Sequence, residues 1–164
     1  MKYTLTCTYV EDDKFGVFTW ALSNFEGVLH SDSIIALGER KSDRTYCGHI
    51  ALRRALRQSA KLTEGVVDLT VKLDEGLIEA VGYELLPEVS TPLYPALKET
   101  TERALRRFEK YQLAQITEDV DGGMSVDEAT ALDEAEDRLE RLRTIGGRLD
   151  LWFLRITAPT KIIK

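Results

Sequence analysis

The sequence predicts an α/β fold: a mixed sheet opened by a three-strand antiparallel meander, continued as β-α-α-β-α, and followed by a C-terminal extension. Three observations carry this. Three β-patterned runs joined by short turns fill residues 2–37. A long helix pattern carrying arginines at regular spacing follows from residue 43. A cleanly alternating run at 65–73 is then succeeded by helical rather than strand periodicity. At 164 residues the chain fits one domain with a normal core. We divide it into a folded domain at 1–145 and an extension at 146–164.

The first strand, 2–10, alternates Tyr3, Leu5, Cys7 and Tyr9 with Thr4, Thr6 and Thr8. "EDDKFG" turns the chain into "VFTWALS" (17–23), and "NFEG", punctuated by Gly27, turns it into "VLHSDSIIAL" (28–37). Connections this short imply antiparallel neighbours. A polar loop, "GERKSDR", leads to a helix capped by Asp43 or Thr45 and running to Leu62. Its Ala51, Leu52, Ala55, Leu56 and Ser59 form a stripe slim enough to lie close on a sheet. Arg53, Arg57 and Lys61 recur every four residues on another face, with Arg54 beside them.

In "GVVDLTVKL" (65–73), Val67, Leu69, Val71 and Leu73 share one face of a strand. Asp74 opens a helix at 74–86. Pro87, Pro92 and Pro95 punctuate a loop before a helix at 95–111, which has Leu97, Ala104, Leu105 and Phe108 inward. "QLAQITEDV" (112–120) reads as a strand ended by "DGG". Ser125 and Glu128 form a capping box for a helix reaching residue 143, and Gly146-Gly147 ends it. "LDLWFLRI" (149–156) is an apolar tail segment, either a strand or a docking element; as a strand it points Trp152 and Phe153 to opposite faces.

Hydrophobic content of 43% with 30% charged residues belongs to a folded globular chain. No apolar run approaches a membrane span, and the N-terminal stretch lacks a signal peptide's unbroken apolar core, so a cytoplasmic protein without membrane contact is expected. Cys7 and Cys47 have neither CxxC spacing nor histidine neighbours, which excludes a disulfide framework or zinc cluster. The net charge of −6 excludes a surface coated for nucleic acid, and leaves a local basic patch as the only phosphate-binding option.

The order of elements over residues 2–143 resembles the ribonuclease H fold. Three segments carry the resemblance: "TYCGHIALRRALRQ" after the meander, "VKLDEGLIEAV" at the end of the fourth strand, and "PLYPALKETTERALRRFEKYQLAQITEDVDGG…DEAEDRL" for the late helix, fifth strand, loop and acidic last helix. The resemblance implies four carboxylates holding two divalent metals that activate water and stabilise the leaving oxygen. The matching first-strand stretch is Thr6-Cys7-Thr8, and the matching helix start is Gly48-His49; neither contains an acid. Asp74 matches the position after the fourth strand, and Asp133 or Asp137 matches the last helix. The mobile-loop histidine is replaced by Val120-Asp121-Gly122.

Each candidate has a plainer reading. Asp is a favoured N-cap, and Asp74 opens a helix. Glu118, Asp119, Asp121, Asp127, Glu128, Asp133, Glu134, Glu136 and Asp137 spread over a strand end, a loop and two helix faces, which describes a solvated acidic surface better than a metal site. His49 and His30 have no visible partner. The basic positions Arg53, Arg54, Arg57 and Lys61, with Arg103, Arg106, Arg107 and Lys110, are candidate phosphate contacts, although Glu99, Glu102 and Glu109 interleave with the second set.

The expected function is therefore a non-catalytic binding or regulatory module recognising a protein or nucleic-acid partner, a role the resemblance associates with accessory factors of viruses and mobile elements. It needs no cofactor. A second expectation is a nuclease cleaving the RNA of RNA–DNA hybrids with Mg²⁺ or Mn²⁺, using Asp74, Asp133 and Asp137, with Asp74 and Asp137 on metal and Asp12, Asp13, Asp32 or Asp68 in support. A third is a structural subunit assembling, as a homodimer or with another protein, through Trp152 and Phe153.

Overall fold

A computed structural model of the chain describes residues 1–86, 91–116 and 126–164. Strands β1 (Lys2–Glu11), β2 (Phe15–Asn24) and β3 (Gly27–Leu37) form the meander, followed by helix α1 (Arg44–Leu62) and strand β4 (Asp68–Leu73). A helical segment starts as α2 (Glu75–Leu77). Then come α3 (Pro95–Leu105), β5 (Lys110–Gln115), α4 (Val126–Arg143), α5 (Ile145–Thr157) and a two-residue strand β6 (Ile162–Ile163). Among the described residues the sheet runs β5-β4-β1-β2-β3-β6. The meander is antiparallel, while β4 joins β1, β5 joins β4 and β6 joins β3 in parallel. This is the expected mixed sheet.

The two faces of the sheet differ in chemistry because strand residues alternate. One face presents Leu5, Cys7, Phe18, Trp20, Leu69, Val71 and Leu73 to the Ala51, Leu52, Ala55 and Leu56 stripe of α1. The other is hydroxyl-rich where α4 covers it. There the Thr8 and Thr19 hydroxyls lie 2.6 Å apart and 3.2 and 3.0 Å from the Ala131 carbonyl of α4, so one hydroxyl donates to the other and the second donates to the carbonyl. Nearer β3, Val17, Ile35, Leu139, Leu142 and Leu151 make a smaller apolar core.

Several sequence expectations need correction. The helix after residue 74 is not uniform: α2 widens into a π turn at Ile78–Gly82 and tightens into a 3-10 turn at Tyr83–Leu85. Helix α3 stops at Leu105 rather than 111, because a turn at 106–108 is needed to drop Phe108 into the core beneath α1. Strand β5 consequently starts at Lys110, two residues early. Helix α4 ends at Arg143 as expected, but Gly146-Gly147 are not the break: they lie in the first turn of a new helix, which the Thr144 hydroxyl caps by accepting from the Gly147 N–H at 3.0 Å. A Cβ at Gly147 would lie 1.8 Å from the Arg141 carbonyl, so this corner requires glycine. The apolar tail is thus a helix, not a strand. Pro87 and 117–125, with the "DGG" loop and Ser125, lie outside the described residues.

Beyond α5, the chain is clasped to the rest of the fold through Asp32. Its carboxylate accepts from Lys161 Nζ and from Gln58 Nε2 at 3.0 Å, while Gln58 accepts from Trp20 Nε1 at 2.8 Å and Arg54 donates to the Thr160 carbonyl at 2.6 Å. Burial opposes ionisation of Asp32, but Gln58, Lys161 and the Ser33 N–H outweigh it and hold the group below the usual aspartate range. A depressed folded-state pKa stabilises fully above the unfolded value and is lost as pH falls through the folded value. Acidification through and below the ordinary aspartate range is therefore expected to release this segment. In hydrogen exchange, Ile162 and Ile163 should lose protection before Leu69 of the central sheet; simultaneous loss would count against the clasp.

Candidate nucleic-acid interface

The positions where the resemblance places metal ligands are occupied by groups with other obligations. Asp74 sits after β4, level with the middle of β1. One carboxylate oxygen accepts from the Leu77 N–H at 2.8 Å, capping α2, and the other accepts from the Tyr9 N–H. Burial pushes this carboxyl above its ordinary range, although the two backbone donors favour its charged form. It ties β1 to α2 as well as capping a helix.

Gly48 touches the π turn that follows α2 directly: a Cβ there would stand 2.4 Å from Val81 Cγ2. His49 is fully buried, with Nδ1 2.9 Å from Thr101 Oγ1 and Nε2 3.1 Å from Glu84 Oε2, so it joins α1 to α3 and the turn after α2. Burial lowers its pKa, and Glu84 only partly offsets this. His30 is a half-buried residue of β3. On α4, Ala131 and Ala135 face the sheet, whereas Asp133, Glu134, Glu136 and Asp137 are exposed. Two residues on from a sheet-facing alanine is roughly 200° around a helix, so Asp133 and Asp137 point away from Asp74.

One residue not singled out from the sequence, Lys72, lies on the hydroxyl-rich face. Lys72 of β4 is paired in register with Thr6, and its ammonium bonds the Glu128 carboxylate, which is only 3% exposed. The Glu128 side chain therefore meets β4; the capping box expected with Ser125 involves a residue outside those described. The signal was available: Lys72 lies on the opposite strand face from Leu73, with an acid in the first turn of the covering helix. Asp12 caps its turn through the N–H groups of Lys14 and Phe15, both at 2.8 Å, and pairs with Arg143 at 2.9 Å. Asp13 is exposed, and Asp68 starts β4. Among the described residues no three His, Cys, Asp or Glu side chains gather as a metal-holding group. Hydroxyls, a committed N-cap and an ammonium do not fit a pair of divalent cations, which need converging anionic oxygens. Glu118, Asp119 and Asp121 lie outside the described residues.

The two basic sets part company. On α3, Arg103 pairs with Glu99 at 2.6 Å and Arg106 with Glu102 at 3.2 Å, each one turn apart. Arg107 and Lys110 are exposed beyond the helix, Lys110 being on β5. On α1, by contrast, Arg53, Arg57 and Lys61 have no carboxylate within ion-pair distance among the described residues, and the buried Nε atoms of Arg53 and Arg54 have no partner. Burial, then the neighbouring Arg57, depresses the Arg53 pKa. Ile50, Arg53, Arg54 and Arg57 follow helical i, i+3, i+4, i+7 spacing and line a groove of about 230 Å³ with Ile34 and Thr160. Uncompensated cations along a groove are what a chain of phosphates requires.

No protein-family model matches the chain, and no curated protein does. Solved structures do. RNase H1 from the halophilic archaeon Halobacterium salinarum NRC-1 is 15% identical with a TM-score of 0.54, over 82% of this chain and all of its own. LC11-RNase H1, isolated from compost by a metagenomic approach, is 15% identical with a TM-score of 0.60, over 87% of this chain and 99% of its own. The foamy viral protease-reverse transcriptase, solved with an RNA/DNA hybrid, is 13% identical with a TM-score of 0.54, over 83% of this chain and 19% of its own. The chain therefore has a ribonuclease H-like fold. Among the described residues no helix is long and apolar enough to cross a membrane.

Proposed function

We propose that this protein is a ribonuclease H-like module that binds nucleic acid through the cationic face of α1 and does not cleave it. The observation that carries the binding reading is that Arg53, Arg57 and Lys61 have no carboxylate within ion-pair distance among the described residues, with Arg54, engaged by Asp32 at 3.9 Å, beside them, whereas Arg103 and Arg106 are paired with the glutamates of α3. Two of the similar structures, LC11-RNase H1 and the foamy viral enzyme, hold RNA/DNA hybrids, which makes a hybrid the natural first probe. Support for the non-catalytic part comes from Asp74, both of whose oxygens serve backbone N–H groups, and from the outward direction of Asp133 and Asp137.

The test has two arms on the same folded sample. Binding to a labelled RNA–DNA hybrid is measured as salt is raised, and about three phosphate contacts should give a log–log slope near −2 to −3. Cleavage of that hybrid is assayed with Mg²⁺ and with Mn²⁺, with Asp74→Asn alongside. Binding without cleavage is expected. Cleavage abolished by Asp74→Asn would overturn the non-catalytic reading, and salt-independent binding would overturn the α1 interface.

A further inference from the structure

We infer that α5 is a homodimerisation helix, pairing in parallel with α5 of a second copy of this chain. The helix is apolar on two opposite sides. Gly147, Leu151 and Leu154 hold it to α4 and β3. On the solvent side, Ile145, Leu149, Trp152, Phe153 and Ile156 are all between 55% and 81% exposed. Ile145, Leu149, Trp152 and Ile156 alternate at steps of four, three and four, the seam of a coiled coil, with Phe153 on its flank. The Trp152 and Phe153 rings meet edge to face, centroids 5.1 Å apart, as one aromatic ridge.

Area and charge identify the occupant. Five large apolar side chains exposed to this degree present on the order of 500 Å². Two copies would then bury about 1,000 Å², the lower bound for a specific interface. A 13-residue helix is too short to dimerise as an isolated peptide, but α5 is already formed and anchored by its own domain. The flanking charges select the direction. In a parallel pair a residue beside the seam faces the one five positions on in its partner, so Arg148 lies against the aromatic face of Phe153. An antiparallel pair would instead set Arg148 against Arg155, like charge on like. Because α5 lies on the side of the sheet opposite α1, pairing leaves both α1 faces open, and the dimer presents two phosphate-binding rows.

Sedimentation of the full chain from about 1 to about 200 μM should show a monomer–dimer equilibrium in the micromolar range. Trp152→Glu should be monomeric throughout, with an unchanged circular dichroism spectrum and, at concentrations where the wild type is also monomeric, an unchanged thermal midpoint. Leu149→Cys should oxidise to a covalent dimer, since it meets its own copy across the two-fold axis and both native cysteines are buried. A wild-type chain that stays monomeric overturns the inference, and binding of that monomer to anionic vesicles would assign the stripe to a lipid surface. A dimer that Trp152→Glu leaves intact also overturns it. None of these readings depends on nucleic-acid binding.

Discussion

Gly48→Ala is expected to destabilise the fold by about 1–3 kcal/mol, although alanine is the better helix former by about 1 kcal/mol. The new Cβ would lie 2.4 Å from Val81 Cγ2 and 3.5 Å from Leu77 Cδ2. Val81 is fully buried and β-branched, so its χ1 is strongly restricted and α1 must move away from the turn that carries it. Gly48→Glu is expected to cost more than the alanine, since four further heavy atoms must leave the same contact. Urea unfolding of both variants reads the effect. Gly48→Ala combined with Val81→Ala should recover part of the loss, because the second change removes the atom that clashes. Wild-type stability of Gly48→Glu would show that α1 and α2 do not meet as described. The helix-start position where the ribonuclease H resemblance calls for a glutamate is thus closed by packing, so one substitution cannot restore the acid.

The second large effect is on binding. Arg53→Glu with Arg57→Glu should weaken hybrid binding by about 10–100-fold near 0.1 M salt and make the log–log salt slope shallower by about 2, one for each lost phosphate contact. Neither arginine has an ion-pair partner to strand among the described residues, and the pair is self-repelling, so the fold should tolerate the exchange. Arg103→Glu with Arg106→Glu is the control, and it should change affinity by only a few-fold, since those guanidiniums are engaged one turn away by Glu99 and Glu102. Equal losses from both pairs would mean that net charge, rather than the α1 groove, governs binding.

Legibility from the sequence followed the range of the forces involved. The meander, α1 and β4 were readable because alternation, capping and short turns act within a few residues. Asp43 caps α1 through the Tyr46 N–H, and Asp74 caps α2, both by local chemistry. The tail was not readable. "LDLWFLRI" is apolar on more than one side, so its period is ambiguous, and only packing against Leu142 and Ile35 selects the helix. The same held for α3: nothing local stops a helix at Leu105, and the pull of Phe108 into the core is a tertiary effect.

At the site, the sequence by itself determined which side chains were available: no acid at Thr6-Cys7-Thr8 or Gly48-His49, and a row of cations on α1. Tertiary structure decided what each one does. It spent both oxygens of Asp74 on backbone donors from two elements, set Lys72 against Glu128 across 56 residues of chain, and paired Arg103 and Arg106 with glutamates of α3 while leaving Arg53, Arg57 and Lys61 of α1 without an ion-pair partner among the described residues. It also turned Trp152 and Phe153 out of the core onto one ridge. Composition limits the charges a chain can bring. Whether a charge is paired or free, and whether an apolar face is covered or open, depends on residues distant in sequence that only the folded state brings within a few ångströms.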